Sequence, residues 1–298
     1  GDGFSGTPQE VWGVEEYNTK SNKTVVQMAK MIGMNIKTDI DEPCVFFGLY
    51  GLPDFYALWR HKGRKCILWA GSDITNFVNG YWLDDKGENK FDPVPMATWI
   101  SKNCESYVEN EIEKQALMEW GIESNVIPSF LGNVNDYEMC YTWSDKPKVY
   151  TSVSGDDFKL YGWDKIPDLA LANPDIEFHL YGNKTLPNDL VWILGLRDEE
   201  VNSKKIMKIQ NIFSHGRVPQ KQMNKEIKQM QGALRLTEFD GFSEIIAKSL
   251  LWGQYPISVI DYPYTLKLDK IEFPKEPNIK GREWLLEKVN HFPWNTKS

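Results

Sequence analysis

A short acidic glycine loop, placed between an apolar strand and an amphipathic helix, is the stretch of this sequence best suited to hold a polar ligand. The pattern predicts a strand over 232–237, a loop over 238–241 and a helix over 242–253. Asp240 and Gly241 stand just before the helix, where unpaired backbone N–H groups and the positive dipole end attract anionic or hydroxylated ligands. Asp240 is therefore either a ligand contact or the ordinary N-cap of the helix.

Charged side chains around this loop have both structural and binding interpretations. Glu244 and Lys248 are one helical turn apart, in the order that favours an exposed ion pair. Arg235 lies inside the apolar strand, where an unpaired guanidinium is costly, so it needs a partner. Asp240 or Glu238 can supply that partner, or Arg235 can face a ligand phosphate.

Small or polar residues follow other predicted strands as well, at the edge of the sheet where an α/β protein binds its ligands. The strand at 65–69 ends in a small-residue turn that leads to Asp73, a carboxylate able to contact a substrate hydroxyl. A glycine after a strand either lets a ligand approach the backbone closely or only forms a turn. Gly51 and Gly182 occupy such positions.

The elements that position these residues alternate between strands and helices in two stretches. This alternation predicts an α/β fold of two Rossmann-like, doubly wound domains that face each other across a ligand-binding cleft. The expected domains are 1–143 and 144–280, with a polar linker at 133–147. A C-terminal helix and tail at 281–298 are expected to pack back on the first domain.

Four further elements belong to this alternation. The sequence predicts a helix at 23–32, a strand at 96–100, a helix at 105–120 and a strand at 191–194.

Composition narrows the class of protein. A net charge of −8 and a sequence pI near 5.2 argue against a nucleic-acid partner, which needs a basic surface to displace counterions. No apolar run approaches the ~20 residues that span a bilayer, and the chain does not open on a signal segment. We expect a cytoplasmic protein, with peripheral membrane contact left open. The four cysteines and four histidines lack metal-ligand spacing, so no metal site is predicted.

Several segments, taken in chain order, resemble glycosyltransferases of the GT-B class, in particular glycosyltransferase family 4. In the second half they are VYTSVSGDDFKLYGWDKIPDLALANPDIEFHLYG at 149–182, HGRV at 215–218, and the acidic loop with its helix. In the first half, ILWAGSDI at 67–74 and SYVENEIEKQALMEWGIESNVIPSF at 106–130 look like a strand ending and the passage toward the interdomain hinge. The resemblance extends over roughly 45–260.

The resemblance implies an enzyme that moves a sugar from a nucleoside diphosphate sugar to a hydroxyl of a carbohydrate or other acceptor, with retention of configuration. It implies no bound metal and no cofactor, since the nucleotide sugar is a co-substrate. We expect catalytic roles for Asp240, against the donor sugar, and for Asp73, on the acceptor side. The expected donor-binding residues are Ser154, Gly155, Lys159, Tyr181, Gly182, His215, Gly216, Arg217, Arg235, Gly241, Phe242, Ser243, Glu244 and Lys248. The expected acceptor-side residues are Gly51, Trp69, Gly71 and Ser72.

Two departures from the family pattern keep other functions open. The family's diphosphate-binding Arg is absent after the first strand of the second domain, where Lys159 is the nearest basic residue and Lys165 the next. Lys248 stands where the family has a Glu, and an ammonium cannot accept hydrogen bonds from ribose hydroxyls. Ribose recognition is then unassigned or moves to Glu244. These departures favour a rival interpretation, a non-catalytic sugar-nucleotide or carbohydrate-binding protein such as an inactive partner subunit. A sugar-nucleotide epimerase of the same architecture is a third, and the oligomeric state is left undetermined.

Overall fold

The described part of the chain forms two compact units. The computed structural model describes residues 41–80, 92–130, 132–153, 158–182, 199–201, 204–206 and 208–290. The first unit contains the residues up to Asn133 together with Phe239–Phe242 and the chain from Lys288, and the second contains Val134–Glu238 and Ser243–Glu287. The grouping of Phe239–Phe242 with the first unit is a feature that the sequence did not predict.

The first unit is built on a parallel sheet flanked by helices. Its elements are β1 (Cys44–Phe47), α1 (Leu52–Arg60), β2 (Lys65–Leu68), α2 (Ser72–Val78), α3 (Pro93–Asn103), β3 (Glu105–Val108), α4 (Glu111–Met118) and β4 (Asn125–Val126). The strands lie in the order β1-β2-β3-β4, and every neighbouring pair is parallel. Parallel strands are covered on both faces, which explains why they appear in the sequence as short apolar runs.

Two of the local predictions in this unit are wrong. The residues 96–100 belong to helix α3, which starts where the Asp92 side chain accepts a hydrogen bond from Val94 N at 3.0 Å. Ala97 and Ile100, three residues apart, are the buried positions of this helix, so the short apolar run follows helical rather than strand spacing. The predicted helix at 105–120 is divided into strand β3 and helix α4, because Asn110 caps α4 and breaks the run.

The second unit holds a larger parallel sheet. Its elements are β5 (Lys148–Ser152), α5 (Ile166–Ala172), β6 (Glu177–Tyr181), β7 (Glu199–Val201), β8 (Lys204–Ile206), β9 (Ile212–Gly216), α6 (Gln220–Ile227), β10 (Gly232–Arg235), α7 (Glu244–Leu251) and β11 (Ile257–Ser258). The last helix, α8 (Ile279–Asn290), lies in this unit as far as Glu287. The main sheet has the order β11-β10-β5-β6-β9 with all pairs parallel, and β7 and β8 form a separate antiparallel pair. The predicted α/β fold with parallel sheets is confirmed.

Helix α7 is packed deep in the second unit. Every residue from Ile245 to Leu251 is buried, including Lys248 at 5% exposed. The helix begins at Glu244, with Ser243 at the N-cap position and no side-chain cap. The interpretation of Asp240 as the N-cap is therefore wrong. The predicted helix at 23–32 and strand at 191–194 lie outside the described residues.

Candidate functional site

The backbone of the Phe239–Phe242 segment is held by two adjacent side chains of the first unit. Phe242 N donates a hydrogen bond to Glu109 Oε2 at 2.7 Å. Asn110 Nδ2 donates to the backbone oxygen of Asp240 at 2.6 Å. Glu109 directly follows strand β3 and Asn110 is the N-cap of α4, so both side chains come from a rigid strand-to-helix junction. The segment that the sequence singled out is thus anchored at its two peptide groups on either side of Gly241.

Two glycines permit this close approach. A Cβ atom on Gly241 would lie 2.0 Å from Glu109 Oε2, well inside van der Waals contact. A Cβ atom on Gly71 would lie 3.1 Å from Gly241 N, and Gly71 has φ +95°, a conformation that disfavours other residues. The predicted roles of these glycines in ligand binding stay predictions. Their observed role is to let backbone and carboxylate meet.

Glu109 and Glu113 form a buried carboxyl pair behind this segment. Glu113 Oε2 accepts a hydrogen bond from Glu109 N at 2.7 Å, and Glu109 Oε1 accepts one from Ser129 Oγ. Glu109 is 6% exposed and Glu113 is fully buried. Glu113 Oε1 has no hydrogen-bond partner among the described residues. One acidic oxygen is therefore buried without the donor that such a group normally requires.

Burial raises the pKa of both carboxyls. The pKa of Glu109 rises to about 8, chiefly through burial, with the charges of Asp240 and Asp73 adding to the rise and the hydrogen bonds of Glu109 opposing it. The pKa of Glu113 rises to about 9, again chiefly through burial and then through the charge of Glu109. Both carboxyls therefore stay protonated to a higher pH than they would in water, which disfavours two charges side by side in this interior.

Asp73 is buried in the same unit and is engaged by backbone groups. Its Oδ1 accepts from Ala70 N at 3.0 Å and from Ile74 N at 3.0 Å, and its Oδ2 accepts from Leu49 N at 3.1 Å. Burial raises its pKa to about 6 against the opposing effect of these bonds. Asp73 thereby ties the start of α2 to the chain that follows β1. Its catalytic role stays a prediction.

The other acceptor-side residues differ in accessibility. Trp69 is fully buried in the core, and its indole Nε1 donates to Ser106 Oγ at 2.9 Å. Ser72 is exposed at the first residue of α2. Gly51 is the N-cap of α1 in extended conformation, and its N–H donates to Asp54 Oδ2 at 3.1 Å. Of these residues, Ser72 offers an accessible side chain, while Trp69 contributes to the interior.

In the second unit, Tyr181 and His215 line one cavity. The Tyr181 hydroxyl donates to Glu226 Oε2 at 2.7 Å, and its ring stacks on the His215 imidazole with centroids 4.5 Å apart. His215 Nε2 lies 2.9 Å from His179 Nδ1, and burial lowers the pKa of both imidazoles. The cavity has a volume of about 540 Å³, and its polar lining includes Lys148, His179, Tyr181, His215, Lys225 and Glu226.

Gly182 and Gly216 bring the ends of two neighbouring strands together. Gly182 N donates to the backbone oxygen of Gly216 at 3.0 Å, and Gly216 has φ +65°. A Cβ atom on Gly182 would lie 2.8 Å from Val153 Cγ2, so a larger residue here would have to displace the Val153 side chain. Arg217 follows as an exposed residue. Ser154 and Gly155, which follow the next strand of the sheet, lie outside the described residues.

Two basic residues near the end of β10 have partners in the second unit. Lys165 forms an ion pair with Glu238, one of the two acids considered for Arg235. The Arg235 guanidinium lies over the Tyr161 ring, with Cζ 4.5 Å from the centroid, as in a cation–π contact. Lys159 is exposed in the turn after β5. Phosphate contacts by these cations stay predictions.

Lys248 and Glu244 form the expected ion pair in helix α7. Lys248 Nζ lies 2.5 Å from Glu244 Oε1, and the side chains are 7% and 70% exposed respectively. The two members of the pair therefore differ in exposure, since the Lys248 ammonium is buried and the Glu244 carboxylate reaches solvent. Both members are already engaged with each other.

The described residues contain no group of three or more His, Cys, Asp or Glu side chains arranged to hold a metal ion. Within the same ranges, every helix is too short or too polar to cross a bilayer.

Sequence reasoning missed Glu109, Asn110, Glu113 and Ser129, although a signal for two of them, Asn110 and Glu113, was present. Asn110 followed three residues later by Glu113 is the spacing of a helix N-cap and an acidic N3 position. Asn110 Oδ1 does accept from Glu113 N at 3.0 Å. Glu113 departs from the usual capping box because it reaches past the cap to the backbone N–H of Glu109.

Comparisons with known proteins agree with this architecture. No protein-family model and no curated protein matches the chain. Among solved structures, OtsA in its apo form shares 7% identity over 91% of this chain and 74% of its own, with a TM-score of 0.53. The α,α-trehalose 6-phosphate synthase of Burkholderia multivorans shares 10% identity over 94% of this chain and 76% of its own, with a TM-score of 0.50.

The crystal structure of TarM also aligns, with 11% identity over 90% of this chain and a TM-score of 0.46. The chain spans only about half of that protein, 52% of its length. At such identities the likeness to OtsA and the synthase establishes the fold alone, an α/β architecture of the GT-B type. The fold class expected from the sequence is confirmed.

Proposed function

We propose that this chain is a glycosyltransferase of the GT-B type that moves a sugar from a nucleoside diphosphate sugar to an acceptor hydroxyl. The proposal follows the family 4 pattern in the sequence, with retention of configuration, no metal ion, and no cofactor besides the donor as co-substrate. A carbohydrate acceptor and a cytoplasmic location belong to the same proposal.

The observation that carries the proposal is the anchored backbone of the Asp240–Phe242 loop. Glu109 and Asn110 hold the peptide groups of this loop, and the Asp240 side chain is half-buried beside them. A carboxylate fixed in this way can accept hydrogen bonds from donor-sugar hydroxyls. It can also stabilise the positive charge that develops at the anomeric carbon as the bond to the leaving phosphate breaks.

In the proposed transfer, the anomeric carbon loses its bond to the diphosphate oxygen and gains a bond to the acceptor oxygen. The acceptor proton passes to the departing phosphate oxygen. The developing negative charge on the diphosphate calls for cations and backbone N–H groups. We assign this role to Lys159 and Lys165, with Arg217 as a further cation, and to the backbone that includes Gly182 and Gly216.

The buried Lys248 supports a second candidate, a protein that binds a sugar nucleotide without transferring its sugar. In the family pattern a carboxylate at this position accepts hydrogen bonds from the ribose. Here the ammonium is paired with Glu244 instead. A chain that binds the ribose of its donor weakly, or binds the donor in an altered orientation, would keep the fold but would not transfer the sugar.

The two candidates separate in one set of measurements. Thermal shift against UDP-, GDP- and ADP-sugars identifies a donor, and release of the nucleoside diphosphate with and without added sugars then measures turnover. A transferase shows acceptor-dependent release, whereas saturable donor binding with no turnover supports the binding protein. The absence of binding to every nucleotide sugar would refute both.

The variant Asp240→Asn tests the assigned carboxylate. We expect turnover to fall by roughly tenfold or more, because the amide cannot stabilise developing positive charge. The matched control is Asp261→Asn, which alters an exposed carboxylate that pairs with Lys267. Near-normal turnover by Asp240→Asn would remove Asp240 from the reaction.

A further inference from the structure

We propose that Glu109 and Asn110 are positioning residues, which fix the backbone of the Asp240–Phe242 loop so that the Asp240 carboxylate meets the donor sugar in one orientation. The inference deepens the proposed function and rests on it for the catalytic consequence. The anchoring of the loop itself can be measured without any substrate.

Glu109 contacts the loop through a hydrogen bond to the Phe242 N–H. Its Oε2 accepts the Phe242 N–H at 2.7 Å, while its Oε1 is engaged by Ser129 and so cannot exchange places freely. Phe242 is 6% exposed, so its N–H has little access to water as an alternative acceptor. Loss of the Glu109 carboxyl would leave a buried donor unsatisfied, and the loop would relieve that cost by moving.

The contact made by Asn110 joins the loop to the start of a helix. Its Oδ1 accepts from Glu113 N at 3.0 Å and its Nδ2 donates to the Asp240 oxygen at 2.6 Å. One side-chain amide therefore caps α4 and holds the peptide group that carries the Asp240 side chain. A side chain that keeps the acceptor oxygen but lacks the amide NH2 would preserve the cap of α4 and lose the hydrogen bond to the Asp240 oxygen.

The fit of Gly241 against Glu109 makes the arrangement restrictive. A methyl group at position 241 would lie 2.0 Å from Glu109 Oε2 and 3.2 Å from its Cδ. An alanine at this position would therefore push the Glu109 carboxyl away from its place against the Phe242 N–H. Removing the glutamate side chain should make room for alanine at 241.

Hydrogen exchange measured by mass spectrometry on peptides that span 239–243 tests the anchoring directly. Glu109→Ala should accelerate exchange of the Phe242 amide by about 10- to 100-fold, since the closed state loses its acceptor. Glu109→Gln should exchange near the wild-type rate, because the side-chain oxygen of glutamine accepts the same N–H. Glu111→Gln, which changes an exposed carboxyl two residues further along the chain, is the matched control.

A second variant keeps the test decisive where Glu109→Ala does not fold. Asn110→Ser retains an N-cap acceptor for α4 but lacks the amide that reaches the Asp240 oxygen. Peptides spanning the loop should exchange faster in this variant, while those of α4 keep their protection. Wild-type exchange of the loop in both Asn110→Ser and a folded Glu109→Ala would overturn the proposal.

Turnover with the donor identified by thermal shift tests the catalytic consequence. Glu109→Ala should lower kcat by about tenfold or more with a smaller change in KM, because a misplaced carboxylate loses transition-state contact. Glu109→Gln should recover most of the lost kcat, because its side-chain oxygen still accepts the Phe242 N–H. A general destabilisation of the fold does not predict recovery by this one acceptor atom. Equal losses in both variants would refute positioning through the Phe242 N–H.

A combined variant adds an internal check. Gly241→Ala alone should disrupt the loop, whereas Gly241→Ala with Glu109→Ala should exchange no faster than Glu109→Ala alone. If wild type turns over no sugar nucleotide, the proposed function fails while the exchange measurements still decide whether Glu109 and Asn110 anchor the loop.

Discussion

The buried Glu113 carboxyl should make the first unit less stable as the pH rises, and Glu113→Gln should abolish the part of that pH dependence that Glu113 contributes. In the folded chain the pKa of Glu113 is raised from 4.5 to about 9, chiefly by burial. Below pH 4.5 the group is protonated in the folded and the unfolded state, and its contribution to stability is fully present. Between pH 4.5 and 9 the unfolded chain releases the proton and the folded chain keeps it, so that contribution is lost progressively.

The size of the effect follows from proton linkage. Each pH unit within this window costs the wild-type protein about 1.4 kcal/mol relative to a variant that cannot ionise. Between pH 5 and pH 8 the stability difference between Glu113→Gln and wild type should therefore change by about 4 kcal/mol in favour of the variant. Glutamine keeps an oxygen for Glu109 N and places an NH2 group where Oε1 has no partner. That unsatisfied group costs about 1 kcal/mol at every pH and so does not alter the slope.

Urea unfolding at several pH values, followed by hydrogen exchange of first-unit peptides, measures this difference. The control is Glu111→Gln, since Glu111 lies on the same helix with its side chain 75% exposed and paired to Lys114. The control should run parallel to wild type from pH 5 to pH 8. A Glu113→Gln profile that is also parallel to wild type would show that Glu113 is not held protonated by burial, and the reasoning would fail.

Two further predictions concern the second unit. Gly162→Ala should destabilise it by about 3 kcal/mol in urea unfolding, because the new Cβ lies 2.5 Å from Leu236 Cβ at φ +69°. The matched control lies in the first unit, where Gly121→Ala, at φ +73° with nothing within 4 Å, should cost only about 1 kcal/mol. Tyr181→Phe removes the 2.7 Å hydrogen bond to Glu226 and should lower stability by about 1 kcal/mol without changing the far-ultraviolet circular dichroism, so an unchanged unfolding midpoint would show that the bond contributes nothing.

Most of the architecture could be predicted from the sequence because buried parallel strands and amphipathic helices have strong local patterns. Strand β10 and helix α7 lie where the pattern placed them, with α7 starting two residues later at Glu244. The prediction failed at 96–100, where five residues are too few to distinguish the two periodicities. The signal that decides this segment lies outside it, in Asp92 and Pro93 at the start of the helix.

The candidate site was predictable only in part. Sequence reasoning found the Asp240–Gly241–Phe242 loop because its composition is local. It did not find Glu109 as the partner of this loop. The hydrogen bond between Glu109 and Phe242 joins residues that are 133 positions apart, and such a contact produces no periodic pattern in the sequence. Trp69 shows a similar limit. The strand pattern does not decide which face of the sheet its side chain occupies, and in the structure it packs in the core.

The membership of Phe239–Phe242 in the first unit has a consequence for how this chain is made. The N–H that satisfies Glu109 comes from Phe242, and Phe239 packs against the first core cluster. When the ribosome has completed only the residues up to Asn133, the first unit is therefore incomplete, because Glu109 has its Ser129 donor but not the Phe242 N–H. Closing so long a stretch of chain is a late and entropically costly event. The first unit should reach its final stability only after most of the second has been synthesised, and an expressed fragment that stops at Asn133 should be less stable than the same residues in the whole chain.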